Sequence, residues 1–181
     1  MKWKVLESQY LFNEPWLTIR KDKCELPNGQ VIPSFYVNEY PDWVNAFALT
    51  KEGQVLMVKQ YRHGIGEIGI ELPGGVVDEG ETPEYAMKRE LMEETGYKFD
   101  SILYLGKISA NPSTTNNYMH MYLATGGVKV AEQSLDDGED VEVLYMSIDE
   151  VKQLVKENKI FQSLHVNCIF YALHHLGEMQ Y

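Results

Sequence analysis

Three glutamates near the middle of the chain have the residue type and spacing to bind a metal ion: Glu90, Glu93 and Glu94. An α-helix turns by about 100° per residue, so these carboxylates would lie within about a third of its circumference. Like charges at that spacing destabilise an isolated helix, which indicates a compensating cation nearby. Ligands that are all oxygens are typical of Mg²⁺ or Mn²⁺. The spacing therefore predicts a Mg²⁺ site, with Mn²⁺ as the alternative.

The glutamates belong to a longer pattern, G-x5-E-x7-R-E-L-x-E-E-x-G. Its glycine, glutamate and arginine positions are Gly75, Glu81, Arg89, Glu90, Glu93, Glu94 and Gly96. A chance match is expected on the order of once in a million chains of this length. The alternative is a solvated acidic helix with Lys88 and Arg89 as surface ion partners, and the fixed offsets of the glycines favour the metal site over it. We expect Arg89 to pair with a neighbouring glutamate and orient it.

The pattern requires a helix, and its flanking residues predict where that helix begins and ends. The Thr82 hydroxyl can cap free N–H groups, and Pro83 is tolerated at the first helical position. Gly96 is typical of a helix end. Met87 and Leu91 belong to an apolar stripe beside the carboxylates. We therefore expect one flank of the helix to pack against the rest of the protein.

Strand and helix signals divide the rest of the chain. They predict strands within residues 3–40, 43–60, 101–107, 118–124 and 141–146, and helices from residue 147 to about 158 and from 161 to about 176. A hairpin turn is predicted at residues 27–29. These elements predict an α/β (α+β) fold, a mixed sheet sandwiched between helices with a small N-terminal antiparallel β extension. We assign residues 1–42 to the extension and residues 43–181 to the main domain.

The pattern at residues 75–96 resembles the signature box of the Nudix hydrolases, enzymes that use a divalent metal to split nucleoside diphosphates linked to another group. Two motifs before the helix, Q-Y-R at residues 60–62 and E-L-P-G-G at residues 71–75, are similar to those of the ADP-ribose pyrophosphatase branch. The acidic stretch G-E-D-V-E at residues 138–142 resembles that branch's acidic loop. The resemblance implies a Nudix-type fold and hydrolysis of a pyrophosphate bond.

The resemblance also implies roles for single residues. Metal binding is implied for the backbone carbonyl of Gly74 and for Glu90, Glu93, Glu94 and Glu139. A loop carboxylate would deprotonate or position the attacking water, with Glu139 as the first candidate and Asp137 or Glu142 as the second. Asp137 is included because it stands where the branch often has a glutamate. Glu93 and Arg89 complete the expected catalytic set.

The expected substrate contacts are Arg62, Glu71 and Pro112. Arginine is scarce in this chain, so Arg62 is a candidate for a bidentate contact, either to the substrate or to Glu71; the alternative is an arginine on the surface. The resemblance favours ADP-ribose, split into AMP and ribose 5-phosphate. The alternatives are another nucleotide sugar such as GDP-mannose, or a non-catalytic nucleotide-binding regulator. Residues 111–117, around Pro112, differ from the glycine-rich loop of the branch.

Composition limits the partners that the chain can have. Its 181 residues carry a net charge of −11, which argues against a nucleic-acid-binding or anionic-membrane surface. No apolar run approaches the roughly 20 residues of a membrane span. Cys24 and Cys168 lack a C-x-x-C context, which indicates reduced thiols and a cytoplasmic protein. The expected partner is a small nucleoside diphosphate substrate.

A second copy of the chain is the other expected partner. Aromatic residues are concentrated in an N-terminal segment that is too small to form its own core, and aromatics are favoured at interfaces. They are Trp3, Tyr10, Phe12, Trp16, Phe35, Tyr36, Tyr40 and Trp43. The resembling branch dimerises through this region, so we predict a homodimer. The alternative is that these aromatics pack within one chain.

Overall fold

The computed structural model describes residues 1–136 and 138–179. The chain forms two compact units. Unit 1 contains Met1–Pro41 and Ser109–Tyr118, and unit 2 contains Asp42–Ile108 and the described chain from Met119 onward. The roles assigned to residues 1–42 and 43–181 stay predictions.

Unit 1 is built on a three-stranded antiparallel sheet in the order β1-β2-β3. The strands are β1 (Lys4–Glu14), β2 (Leu17–Glu25) and β3 (Val31–Glu39). Between β2 and β3 the chain reverses in a tight turn, where the Gly29 N–H donates to the Leu26 carbonyl at 2.9 Å. The predicted small antiparallel extension and its hairpin turn are therefore confirmed.

Unit 2 contains an eight-stranded mixed sheet and three helices in the described chain. Its elements are β4 (Trp43–Thr50), β5 (Val55–Arg62), β6 (Glu67–Glu71), β7 (Gly74–Val76), α1 (Pro83–Thr95), β8 (Tyr97–Lys98), β9 (Ser101–Ile108), β10 (Met119–Lys129), β11 (Val141–Met146), α2 (Ile148–Lys156) and α3 (Ser163–His175). The central path of the sheet is β11-β5-β4-β10-β8. Strands β4 and β10 are parallel, and the other pairs are antiparallel.

Hydrophobic cores cover both faces of this sheet because successive residues of its central strands point to opposite sides. On β4, Ala46 and Ala48 belong to the core that includes Met87 and Leu91 of α1. Phe47, between them, belongs to the core that includes residues of α2 and α3. The predicted mixed sheet between helices is thus confirmed. The three described helices include none long and apolar enough to cross a membrane.

Helix α1 follows its local sequence signals closely. The Thr82 side chain accepts a hydrogen bond from the Tyr85 N–H at 3.3 Å, and Pro83 opens the helix. Gly96 ends it in the left-handed conformation, with φ of 73°. Met87 and Leu91 are buried on the packed flank. The predicted beginning, end and packing flank of α1 are confirmed, and the helix therefore presents its glutamates at a defined place.

Candidate active site

Two glycines bring the backbone that follows β6 against the α1 glutamates. The Gly74 N–H donates to Glu94 Oε2 at 2.8 Å. A Cβ added at Gly74 would lie 2.1 Å from the Val44 carbonyl oxygen, so only glycine fits against β4. A Cβ added at Gly75 would lie 2.4–2.7 Å from the carboxyl atoms of Glu90. The carboxylate of Glu90 therefore occupies space that any other residue at Gly75 would take.

Burial perturbs both carboxyl groups. It raises the pKa of Glu90 to about 7 and that of Glu94 to about 8. Arg89 beside Glu90 and the Gly74 N–H beside Glu94 oppose this rise, while the charge of Glu139 adds to it at both residues. The ionised forms of Glu90 and Glu94 thus lack enough positive charge around them. A bound cation would supply it.

Arg89 links most of the glutamates of the box. Its Nε and Nη2 contact the two carboxylate oxygens of Glu81, each at 3.0 Å. Its Nη1 donates to Glu90 Oε1 and to Glu93 Oε2, each at 2.9 Å. Nη2 also donates to the Val76 carbonyl at 2.9 Å, which ties α1 to β7. The hydrogen bond to Glu81 contributes most to raising the pKa of the guanidinium. Arg89 therefore stays charged and sets the directions of Glu90 and Glu93.

Arg62 and Glu71 form a fork-to-fork ion pair beside this site. Arg62 Nε lies 3.0 Å from Glu71 Oε1, and Nη2 lies 2.6 Å from Oε2. Glu71 is only 1% exposed, so it requires this partner. Of the two partners predicted for Arg62, the structure shows Glu71. The hydrogen bond to Glu71 raises the Arg62 pKa, and the charges of Glu94 and Glu139 add to the rise, so Arg62 lies near both carboxyls.

The acidic loop brings Glu139 toward the box. Glu139 is exposed and closes a turn of its own, because its carboxylate accepts from the Asp136 N–H at 3.1 Å. The alternative Glu142 lies on β11, and its carboxylate pairs with Lys59 Nζ at 2.9 Å. Asp137, the other alternative, lies outside the described residues. Glu139 is thus the described loop acid whose charge acts on Glu90 and Glu94.

Pro112 belongs to unit 1, in a turn built by its neighbour Asn111. The Asn111 carbonyl accepts from the Thr114 and Thr115 N–H groups at 3.1 and 2.9 Å. Asn116 Oδ1 accepts from the Tyr40 N–H at 3.0 Å. Amide and carbonyl groups therefore build this turn in the place of glycines. The role of Pro112 in substrate binding stays a prediction.

The donor set around α1 fits a hard divalent cation. Across residues 1–136 and 138–179, no three His, Cys, Asp or Glu side chains are already grouped as a metal site. In this structure Arg89 holds Glu90 and Glu93, while the Gly74 N–H holds Glu94. All the available donors are oxygens, and two of the carboxylates are buried with raised pKa values. This chemistry suits Mg²⁺ or Mn²⁺.

Two residues near the site were not predicted from the sequence. His165 of α3 is buried, and its Nδ1 accepts from the Leu72 N–H at 2.9 Å. Gln133 donates through Nε2 to the Glu94 carbonyl at 2.7 Å and to the Val141 carbonyl at 3.0 Å, so it ties the end of α1 to β11. Neither residue belongs to a motif with recognisable spacing. Their partners are distant in sequence, and only the fold brings them together.

Comparison with known proteins agrees with this geometry. The family model for the NUDIX domain matches residues 39–164, and the model for the nucleoside diphosphate sugar hydrolase N-terminal domain matches residues 3–38. The chain therefore belongs to the Nudix family, which confirms the predicted resemblance and the predicted class, a hydrolase.

The chain is also similar to known proteins and to a solved structure. The chain is 32% identical to the methanol dehydrogenase activator of Bacillus methanolicus, over 93% of this chain and 91% of that one. It is 30% identical to the ADP-ribose pyrophosphatase of Bacillus subtilis (strain 168), over 88% of this chain and 86% of the relative. A crystal structure described as an ADP compounds hydrolase has a TM-score of 0.85 at 19% identity, covering 99% of this chain and 98% of that chain. The structural likeness shows a shared fold.

Proposed function

We propose that the chain hydrolyses the pyrophosphate bond of a nucleoside diphosphate linked to a sugar, with ADP-ribose as its best substrate and Mg²⁺ as its cofactor. The observation that carries this proposal is the contact of Gly74 and Gly75 with the buried carboxyls of Glu94 and Glu90. These contacts bring the backbone of Gly74 and Gly75 close to the carboxylates of Glu90 and Glu94. The negative charge of those carboxylates requires a cation. Mn²⁺ is the alternative cation.

The metal would be held by oxygens from three parts of unit 2. These are the Gly74 carbonyl, the carboxylates of Glu90, Glu93 and Glu94, and the loop carboxylate of Glu139. When bound, the cation supplies neutralisation of the diphosphate and polarisation of its phosphorus. Arg89 would keep Glu90 and Glu93 directed toward that position, because it already holds one oxygen of each.

Arg62 would orient the substrate. Its Nε and Nη2 are engaged by Glu71, which leaves Nη1 with no hydrogen bond to the described residues. A guanidinium fixed on one side in this way can donate from its free nitrogen to a phosphate oxygen with little loss of entropy. Glu71 would thus act on the substrate through Arg62.

A loop carboxylate would take the proton of the attacking water or hold that water in line. Glu139 is the first candidate because its charge already acts on Glu90 and Glu94. Asp137 and Glu142 remain the alternatives. The reaction adds water across the pyrophosphate bond, so ADP-ribose would give AMP and ribose 5-phosphate.

Two comparisons support this substrate, one for nucleotide sugars in general and one for ADP-ribose in particular. The family model matched at the N-terminus is that of the nucleoside diphosphate sugar hydrolase N-terminal domain. The Bacillus subtilis relative is named an ADP-ribose pyrophosphatase. GDP-mannose is the alternative substrate. A non-catalytic nucleotide-binding regulator is the alternative function, although it has no need of the complete set of box glutamates that this chain retains.

A substrate panel tests the proposal. The panel contains ADP-ribose, GDP-mannose, NADH, diadenosine polyphosphates and nucleoside triphosphates. We expect the highest kcat/KM for ADP-ribose, and loss of activity when EDTA removes the metal. Products would be measured by phosphate release after phosphatase treatment. A higher kcat/KM for NADH or a triphosphate would refute the substrate only, whereas no hydrolysis with Mg²⁺ or Mn²⁺ would refute the enzyme proposal.

The proposed enzyme is a homodimer joined through unit 1. All eleven residues of β1 are exposed, and Tyr10, Phe12 and Trp16 expose 53%, 52% and 85% of their surfaces. Aromatic residues are enriched at protein interfaces, so these exposed side chains form the proposed contact surface. Three other aromatics of the predicted set pack within the chain: Phe35 and Trp3 contact each other edge to face at 5.6 Å, and Trp43 packs against a core of unit 2.

Light scattering tests the dimer. At micromolar concentration we expect twice the monomer mass for the natural chain and the monomer mass for a Tyr10→Glu, Phe12→Glu double variant, because two charges would be buried in an apolar interface. Tyr171→Glu, at an exposed aromatic of α3, is the matched control and should stay dimeric. A monomeric natural chain would contradict the proposal.

A further inference from the structure

The segment that leads to Gly74 is held by an unusual buried partner. His165 lies in the first turn of α3, and only 5% of its side chain is exposed. Its Nδ1 accepts from the Leu72 N–H at 2.9 Å, so the ring proton must reside on Nε2. That nitrogen faces Glu71 Oε2 at 3.7 Å. One imidazole therefore contacts the backbone of Leu72 and faces the carboxylate of Glu71.

The residues on either side of Leu72 are held independently. Glu71 is fixed by Arg62, and the Pro73 carbonyl accepts from the Ala46 N–H at 3.1 Å. Pro73 has a fixed φ, so it transmits the position of Leu72 stiffly to the next residue. That next residue is Gly74, whose carbonyl is a proposed metal ligand. The Leu72 N–H is therefore one of the points that fix the backbone leading into this carbonyl.

Helix α3 also contacts β4, the strand that pairs with β7 at Gly74. The Asn45 side chain donates from Nδ2 to the Leu164 carbonyl at 3.4 Å. Asn45 pairs with Gly74 between β4 and β7. Leu164 and His165, adjacent residues of α3, thus contact both the strand that pairs with Gly74 and the segment that leads into Gly74.

We propose that His165 is a positioning residue that fixes the Gly74 carbonyl for cation binding, through the Leu72 N–H and alongside the Arg62–Glu71 pair. This inference rests on the proposed function, because it takes Gly74 as a metal ligand. The imidazole suits the task, since in its neutral form it accepts at Nδ1 while offering an N–H toward a buried carboxylate. Burial lowers the His165 pKa to about 4, which keeps the ring neutral at physiological pH.

Substitutions at His165 separate the effect of its hydrogen-bond acceptor from the effect of its side-chain volume. His165→Leu removes the acceptor at similar volume, His165→Asn keeps an oxygen near the place of Nδ1, and His165→Gln moves it toward the place of Nε2. We expect Mn²⁺ to bind His165→Leu about tenfold more weakly than the natural chain, with His165→Asn within about threefold. Binding would be measured by electron paramagnetic resonance of free Mn²⁺ with the full chain and no substrate.

Steady-state kinetics provide a second measurement of the effect of His165 on metal binding. The Mg²⁺ concentration for half-maximal rate should rise about tenfold in His165→Leu, while KM for ADP-ribose at saturating Mg²⁺ changes less than about twofold. Ile169→Val, another fully buried α3 position, is the matched control for loosened packing and should bind Mn²⁺ normally. If His165→Leu does not fold, weaker Mn²⁺ binding by His165→Gln than by His165→Asn supports the proposal.

The outcomes separate this inference from the proposed function. Equal Mn²⁺ affinity in the natural chain, His165→Leu and His165→Gln overturns the role of His165 and leaves metal-dependent hydrolysis intact. Equal weakening by Ile169→Val also overturns it, because packing alone would then explain the loss. A third outcome is that the natural chain hydrolyses none of the panel while His165→Leu still binds Mn²⁺ more weakly. That outcome supports the positioning role of His165 and refutes the proposed substrate class. A natural chain that binds no Mn²⁺ overturns both.

Discussion

Glu94→Gln is expected to lower kcat/KM for ADP-ribose on the order of a thousandfold while the chain still folds. The substitution removes a negative charge but almost no volume. The amide can still accept from the Gly74 N–H, so the 2.8 Å contact that joins β7 to α1 can persist. What is lost is an anionic oxygen ligand at the centre of the proposed metal site.

A matched control exists on the same helix. Glu84→Gln makes the same chemical change at an exposed α1 position whose partner is Lys88, so its activity should stay within about twofold of the natural chain. Both variants would be assayed across a Mg²⁺ titration, with circular dichroism to verify folding. Near-native turnover of Glu94→Gln at saturating Mg²⁺ would remove Glu94 from the ligand set.

The same variant gives a prediction for stability without metal. The folded-state pKa of Glu94 is raised by burial to about 8, above its usual value of 4.5, so the folded state binds the proton more tightly than the unfolded state. The stability of the metal-free natural chain due to this group is therefore greatest below pH 4.5 and falls as pH rises toward 8. Glu94→Gln lacks this loss, so it should be more stable by a few kcal/mol at pH 8.

Urea unfolding in EDTA at pH 5 and pH 8 measures this difference. The free energy of unfolding of Glu94→Gln minus that of the natural chain should increase between the two pH values, and saturating Mg²⁺ at pH 8 should reduce the gap by stabilising the natural chain. If the difference in unfolding free energy between Glu94→Gln and the natural chain is the same at both pH values, burial does not raise the pKa of Glu94 in the metal-free protein.

Much of α1 could be predicted because its determinants are local. The Thr82 cap, the Gly96 end and the 3.6-residue spacing of the buried flank all lie within one stretch of sequence. Strand β6 could not be predicted in this way. Glycines at positions 64, 66 and 69 interrupt any alternation of polar and apolar residues there, and the strand forms through its pairing with β5.

The same distinction applies to the candidate site. The box glutamates are recognisable because one helix carries them. His165 is invisible in the sequence because its partner Leu72 is 93 residues away and the surrounding α3 segment reads as an ordinary apolar helix. For Arg62, the sequence predicted a bidentate contact either to the substrate or to Glu71, and the pairing of β5 with β6 brings Glu71 into position for it. Long-range packing of α3 determines the His165 contact, and no local pattern encodes it.

Glu139→Gln carries the second large expected effect, a fall in kcat on the order of a hundredfold to a thousandfold with KM changed little. A base or a rate-supporting ligand acts mainly in the transition state, so its loss appears in kcat. The carboxylate is exposed and bonds only to its own turn in the described chain, where it accepts from the Asp136 N–H, and an amide oxygen can replace that contact. The loop should therefore keep its shape when the charge is removed.

Variants of the two alternative acids, Asp137 and Glu142, test whether Glu139 is the general base. Glu142→Gln breaks an exposed ion pair with Lys59, so its rate should stay within about twofold of the natural chain. Asp137→Asn should also retain most of the rate. For each variant kcat would be measured at saturating Mg²⁺, and only Glu139→Gln should lose most of the rate. If Asp137→Asn alone loses the rate, the aspartate is the base and Glu139 is at most a ligand of the metal.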